Sequence, residues 1–237
     1  MRIDGRDHDE MRPVKITKNY LKSPEGSVLI EVGDTRVICT AHVEEKVPMF
    51  LKDTAQGWLT AEYSMLPGAG NTRINREVSR GKVSGRTAEI QRFIGRSLRS
   101  VVDRSCFPRM TITVDCDVIQ ADGGTRTASL TGAYVAVEMA LQKMLREKKI
   151  KRNPCTEMIA AVSVGILKGS ALLDLCYKED FNIDVDMNVV MTASGSFVEI
   201  QGTAEGNSYT KEELDKMLEL SRKGIMELIA IQEECLR

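Results

Sequence analysis

The chain has 237 residues, and 33 Lys+Arg against 34 Asp+Glu leave a formal net charge of −1. Hydrophobic residues at 42% and charged residues at 28% are globular proportions and exclude wholesale disorder. No apolar run approaches the roughly 20 residues of a bilayer span, Met1-Arg2-Ile3-Asp4-Gly5-Arg6-Asp7 lacks the apolar core of a secretory leader, and the six scattered cysteines, without a Cys-x-x-Cys, read as reduced thiols in a cytoplasmic protein.

Val28 to Val43 predicts a β-hairpin about the turn Gly33-Asp34. Glu44 to Arg80 reads as irregular, rich in Gly and Pro, and a loop of that length in a compact domain is usually functional or mobile. From Arg86 to Val102, Ile90, Phe93, Ile94, Leu98 and Val101 recur at helical spacing, which puts Arg92, Arg96 and Arg99 on the opposite face and Arg86 apart from them in the first turn. Met110 to Val118 alternates as a half-buried strand, and Thr127 to Lys149 reads as a long helix ending before Lys151-Arg152-Asn153-Pro154.

The second half repeats the pattern. Hairpins are expected around Lys168-Gly169 and Ser194-Gly195, and a closing helix begins at the capping box Thr210-x-x-Glu213. The order, strands then helix twice, predicts an α+β fold with helices packed on mixed or antiparallel sheets. The division expected is 1–150 and 151–237.

Net charge conceals a strong asymmetry. Between Gly70 and Arg109 ten basic residues (Arg73, Arg76, Arg80, Lys82, Arg86, Arg92, Arg96, Arg99, Arg104 and Arg109) face only Glu77, Glu89 and Asp103, so this stretch carries 10 − 3 = +7. The remainder therefore carries −8, most of it after Asp174. Arg dominates the basic stretch, and its planar fork suits phosphate oxygens. The alternative is a solvated face paired with the acidic C-terminal third.

Two constellations carry chemistry. In Gly123-Gly124-Thr125-Arg126, between a strand and a helix, paired glycines permit close backbone approach, the helix start offers free N–H groups, and Thr125 and Arg126 add donors. The set suits a small tetrahedral anion and is no Walker A loop, lacking its spacing and Lys. The second is Asp180 with Asp186, a carboxylate pair able to hold Mg²⁺ or to supply a general acid; Asp174 and Asp184 are further candidates by composition. With only His8 and His42, a multi-histidine metal site is not expected. Trp58 and the few Phe look too sparse for a base-stacking platform.

Gln120-Ala121-Asp122-Gly123-Gly124-Thr125-Arg126-Thr127-Ala128-Ser129 resembles the phosphate-binding signature of the ribonuclease PH family. So do Gly57 to Pro67, Gly85 to Arg92, Asp186 to Thr192 and Gln201 to Glu205, in order along essentially the whole chain. The resemblance implies a duplicated RNase PH core whose N-terminal part is similar to ribosomal protein S5 domain 2. It also implies a phosphorolytic 3′→5′ exoribonuclease that trims 3′ ends of tRNA precursors, releases nucleoside diphosphates and runs in reverse as a nucleotidyltransferase.

Carried over by position, Arg86, Gly124, Thr125 and Arg126 would bind phosphate. Asp180 and Asp186 would be catalytic and hold Mg²⁺, and Arg73 and Arg76 are kept in their loop as candidates for RNA contact. By its own spacing, the ridge of Arg92, Arg96 and Arg99 is a candidate either for RNA contact or for a subunit interface. Inorganic phosphate would be co-substrate, RNA the partner, and the assembly a homo-hexamer, a trimer of dimers. One position departs from the pattern: Gly68 stands where most members carry Arg, which puts one RNA contact in question.

Overall fold

In the computed structural model, which describes residues 2–206 and 208–237 (except the side chains of Val78 and Arg80), Gly33 turns the expected hairpin with φ +55°. The elements are β1 Val14–Lys18, β2 Gly26–Val32, β3 Thr35–Glu44, β4 Trp58–Met65, α1 Gly85–Ser100, β5 Thr111–Gln120 and α2 Thr125–Arg146, followed by β6 Ile159–Leu167, β7 Ser170–Leu173, α3 Tyr177–Asp180, β8 Val185–Thr192, β9 Phe197–Ala204 and α4 Lys211–Leu236. They make one sheet in the order β1-β2-β3-β5-β4 and a second in the order β7-β6-β8-β9. The expected α+β class with mixed sheets and packed helices is the one observed.

The helix α2 explains how the two sheets make one body. Its residues are buried nearly all round, including Leu130, Val135, Val137 and Leu141, because it packs on β2, β3 and β5 of the first sheet and on β6 of the second. A helix hydrophobic on every side has no solvent face to show, so it belongs between layers. The helix α4 covers β6, β7 and β8 with Met217, Ile225, Leu228 and Ile229, and the capping box at its start forms as expected, Thr210 accepting from the Glu213 N–H at 3.2 Å.

Two elements depart from the sequence reading. The stretch Glu44–Arg80 is not irregular throughout: β4 lies inside it and pairs parallel to β5. Leu59, Ala61 and Tyr63 alternate inward with Thr60, Glu62 and Ser64 between them, a period-2 pattern masked by the Gly- and Pro-rich text on either side. The other is β1, which pairs antiparallel to β2 at the sheet edge in a part of the chain where no element was expected.

Upstream of β1 the chain crosses to the second half. Leu173 N–H donates to the His8 carbonyl at 2.9 Å, and Arg2, Arg6 and Arg12 are buried against Asp174 and Glu179. The N-terminal residues are thus part of the frame around the turn β7–α3.

Candidate functional site: a cleft between an anion cradle and a carboxylate pair

The strand β5 ends at Gln120, and the chain reverses into α2 through Gly123 at φ +77° and Gly124 at φ +63°. Glycine is needed for space as well as for φ at Gly123, where a Cβ would stand 2.5 Å from the Leu175 carbonyl oxygen. The turn is pinned from below by buried Thr35, whose hydroxyl donates to the Gly123 carbonyl at 2.7 Å and accepts from the Asp122 N–H at 2.9 Å. Backbone amides at the start of a 22-residue helix are thereby presented to one place.

Thr125 is buried, and its Oγ1 accepts from the Tyr63 hydroxyl at 2.9 Å, which leaves the threonine proton free for a ligand. Burial pushes the Tyr63 phenol above its ordinary pKa, so it stays a donor. Arg126, in the first turn of α2, is held by Gln201 (Nη1 to Oε1, 2.7 Å) and by an ion pair with Glu89 at 3.2 Å. Arg86, in the first turn of α1, is exposed and is held by no ion pair or hydrogen bond among the described residues.

Opposite stand the carboxylates. Asp180 ends α3 and Asp186 enters β8. Loss of hydration raises the Asp180 pKa, with Arg86 and Arg126 pulling it down. Asp186 is pushed up to about 6, first by burial and then by Asp180 and Glu205, against the same two arginines. Alternation along β8 turns Asn188 to the same side as Asp186, and Ser163 is its register partner on β6. All of these groups border one cleft of about 650 Å³: Arg86, Gly123 to Arg126, Ser163, Asp180, Asp186, Asn188 and Glu205.

The other sequence candidates fall elsewhere. Asp174 is buried in ion pairs with Arg12 and Arg6, and Asp184 accepts from the Lys168 N–H at 2.7 Å to close a turn, so neither joins the cleft pair. The loop after β4 borders the cleft through Gly70, Asn71, Thr72 and Ile74, while Arg73 and Arg76 are exposed on that loop outside the lining. Arg92 and Arg96 are exposed on α1, with Arg96 3.3 Å from Glu199. Arg99 does not continue their ridge: its Nη1 donates to the Leu59 carbonyl at 3.0 Å and its guanidinium lies 4.8 Å from the Trp58 ring. Helical spacing alone placed it with the other two; the neighbouring edge strand β4 draws it aside.

Several residues of the site have roles that the sequence reading did not assign. Thr35, Tyr63, Gln201 and Glu89 support the anion cradle, and Arg2 and Arg12 support the turn carrying Asp180. Only their partners had a local pattern; their own roles exist solely through contacts far along the chain. Two aromatic residues, Tyr177 and Phe181, also border the cleft, with ring centroids 6.3 Å apart.

A family model described as 3′ exoribonuclease family, domain 1 matches residues 10–141, and one described as 3′ exoribonuclease family, domain 2 matches residues 157–224. Among solved structures, rice (Oryza sativa) Rrp46 superposes with a TM-score of 0.81 at 17% identity, covering 100% of both chains. The Archaeoglobus fulgidus exosome with RNA bound to the active site gives 0.80 at 23% identity over 97% of this chain and 91% of that one. An archaeal exosome core gives 0.77 at 22% identity over 98% and 91%. At these identities the structures establish a common fold, whereas the two family models, consecutive and in order, span most of the sequence. The chain belongs to the RNase PH family of phosphorolytic 3′→5′ exoribonucleases.

Proposed function

We propose that this protein is a phosphate-dependent 3′→5′ exoribonuclease that trims 3′ ends of tRNA precursors in the cytoplasm, with Arg86, Gly124, Thr125 and Arg126 binding phosphate and Asp180 and Asp186 serving the leaving group. The observation that carries the reading is the pairing in one cleft of an anion cradle with two carboxylates of raised pKa. A hydrolase using water has no need of a second anion pocket.

Phosphate is a weak nucleophile approaching a phosphodiester that is itself negative. Arg86 and Arg126, with the Thr125 hydroxyl and the amides of the α2 start, offset that repulsion and hold the anion in line. A phosphate oxygen bonds to the phosphorus of the terminal nucleotide as the bond to the preceding 3′ oxygen breaks. Asp186, whose carboxyl keeps its proton up to about pH 6, donates a proton to that oxygen. The products are a nucleoside diphosphate and an RNA one nucleotide shorter; the reverse reaction is nucleotidyl transfer.

Mg²⁺ fits the donor set, because two carboxylates facing each other leave excess negative charge and hard oxygen ligands are what this ion takes. Among the described residues no three His, Cys, Asp or Glu side chains converge to hold a metal alone, so RNA and phosphate oxygens would complete the shell around Asp180 and, once it has given up its proton, Asp186. When bound, the ion supplies charge neutralisation at the scissile phosphate. We further propose a homo-hexamer, a trimer of dimers, a reading supported by the exosome cores of the same fold. Among the described residues no helix is long and apolar enough to cross a membrane.

A non-catalytic, RNA-binding ring subunit is the alternative. The cradle and the acidic pair, both present and facing one cleft, weigh against it. The deciding experiment incubates the protein with 3′-extended RNA and Mg²⁺, with and without phosphate. Nucleoside diphosphates are expected only with phosphate; nucleoside monophosphates formed without it would overturn the reading, and no product in either case would favour the scaffold.

A further inference from the structure

Phe181 is 76% exposed and Tyr177 44% exposed, so both rings offer apolar faces to a ligand. They stand four residues apart on the single turn α3, and the Phe181 N–H donating to the Tyr177 carbonyl at 3.0 Å closes that turn. This spacing puts both rings on one side, with centroids 6.3 Å apart and planes inclined by 38°. The Tyr177 N–H donates to the Asp122 carboxylate at 3.3 Å, so the aromatic turn is tied to the loop that leads into the anion cradle.

The position is as telling as the exposure. Both rings border the cleft that contains Arg86, Arg126 and the carboxylate pair, and Phe181 directly follows Asp180 in the chain. A nucleotide whose scissile phosphate lies between the phosphate held by the arginines and the carboxylate pair must place its base close by. A planar apolar face with its own aromatic backing is the surface a base of any identity can use, because every base has a π-face.

We propose that Phe181, backed by Tyr177, is the stacking surface for the base of the 3′-terminal nucleotide of the RNA. The inference rests on the cleft's being the site of RNA phosphorolysis and adds to it the group that positions the substrate base. The partner is a nucleobase, recognised by stacking and not by its hydrogen-bonding edge. Trimming then tolerates any terminal base, with purines, the larger rings, held better than pyrimidines.

The test uses the full-length protein. An oligouridine ending in 2-aminopurine reports stacking directly, since its fluorescence is quenched when the base stacks. It is mixed with protein in the absence of phosphate, where no phosphorolysis occurs. Wild type is expected to quench the probe; Phe181→Ala and Phe181→Leu are expected to lose most of the quench, and Phe181→Trp to keep it.

With phosphate present, Phe181→Ala should raise the KM for RNA roughly five- to a hundred-fold, leaving the KM for phosphate within about twofold and, because the side chain is exposed, the melting temperature unchanged. Quenching retained in Phe181→Ala would overturn the proposal. So would full function in Phe181→Leu, which keeps apolar bulk without a ring face, or a loss of oligomeric state in Phe181→Ala, which would place the ring in a subunit contact. Because quenching is read without turnover, absence of phosphorolysis in wild type would defeat the proposed activity while leaving the stacking result decisive on its own.

Discussion

Arg12 grips Asp174 with two parallel hydrogen bonds, Nε to Oδ2 at 2.8 Å and Nη2 to Oδ1 at 2.6 Å, while its Nη1 donates to the Asp122 carbonyl. One buried guanidinium therefore joins the loop before the anion cradle to the turn before Asp180. Arg2 does the same service one turn on, bonding Glu179 at 2.8 and 2.6 Å. Burial pushes the Glu179 carboxyl up, but Arg2, with the Cys176 N–H and Arg6, holds it below its ordinary pKa. Arg12→Ala leaves Asp174 buried without its main cation, and breaking such a pair costs about 3–5 kcal/mol. A fall of that size in urea-unfolding free energy, with a disproportionate loss of kcat, is expected; a loss under about 1 kcal/mol would remove the strut role.

The raised pKa of Asp186 makes a stability prediction with a definite sign. Its carboxyl ionises near 3.8 when unfolded and at about 6 in the fold, so between these values the folded state binds more protons and stability falls as pH rises. Above about pH 6 the full penalty is present. About two units correspond to roughly 3 kcal/mol, less what the cleft's solvent returns, leaving on the order of 1–3 kcal/mol. Asp186→Asn should therefore unfold at a higher urea concentration than wild type at pH 7.5, match it near pH 4, keep the oligomer and lose turnover in both directions. Substantial residual phosphorolysis would refute the proton-donating role.

Arg86 and Arg126 face the same anion with different freedom. Arg126 is already braced by Gln201 and Glu89, whereas Arg86 has no such brace among the described residues. Arg86→Ala should raise the KM for phosphate by at least about tenfold, the size of one charge-assisted contact. RNA binding without phosphate should be spared, and the melting temperature should barely move, as the side chain is exposed. Unchanged phosphate dependence would exclude Arg86 from the site.

Gly68, at the position where the family usually carries Arg, is exposed, and a Cβ there would meet no atom within 4 Å. Gly68→Arg should fold as well as wild type. If the loop lies against RNA, the variant should bind RNA more tightly at low salt, with the salt dependence steeper by about one unit of slope. A melting temperature lowered by several degrees would contradict the open geometry.

Along α1 the three arginines should separate energetically. Arg92→Ala should change stability by less than about 0.5 kcal/mol, as exposed substitutions do, and Arg96→Ala similarly little, since an exposed ion pair adds little. Arg99→Ala removes a bond to the Leu59 carbonyl and a contact with the Trp58 ring, and a loss of about 1–2 kcal/mol is expected by thermal unfolding. Light scattering on Arg92→Glu and Arg96→Glu distinguishes the remaining roles: a smaller particle assigns the ridge to a subunit interface, and an intact one with weakened RNA binding assigns it to RNA.

Much was legible in the residues because some features are local. Apolar runs either side of the turn signals Gly33, Lys168-Gly169 and Ser194-Gly195 mark hairpins, apolar spacing marks α1, and Thr210 with Glu213 marks the start of α4, each needing only neighbours in the chain. The glycine pair before Thr125 was equally plain, since a left-handed turn demands it. β4 escaped because its alternation is short and set in loop-like text.

Charge distribution, too, was readable from the chain alone: a basic stretch of +7 hidden inside a net charge of −1. What that charge meets is a property of the fold. The bonds that define the site each span more than 60 residues: Thr35 to Gly123, Tyr63 to Thr125, Arg12 to Asp174, Arg2 to Glu179 and Arg126 to Gln201. Sequence spacing carries no information about such pairs. They arise when α2 is buried between two sheets and brings the glycine turn against the β7–α3 turn. The residue types for anion binding and acid chemistry were set by the sequence; that Arg126 and Asp186 share a cleft, that Asp174 is a strut, and that Phe181 borders the cleft were decided by packing, because only packing removes water from some carboxylates and leaves others facing the solvent.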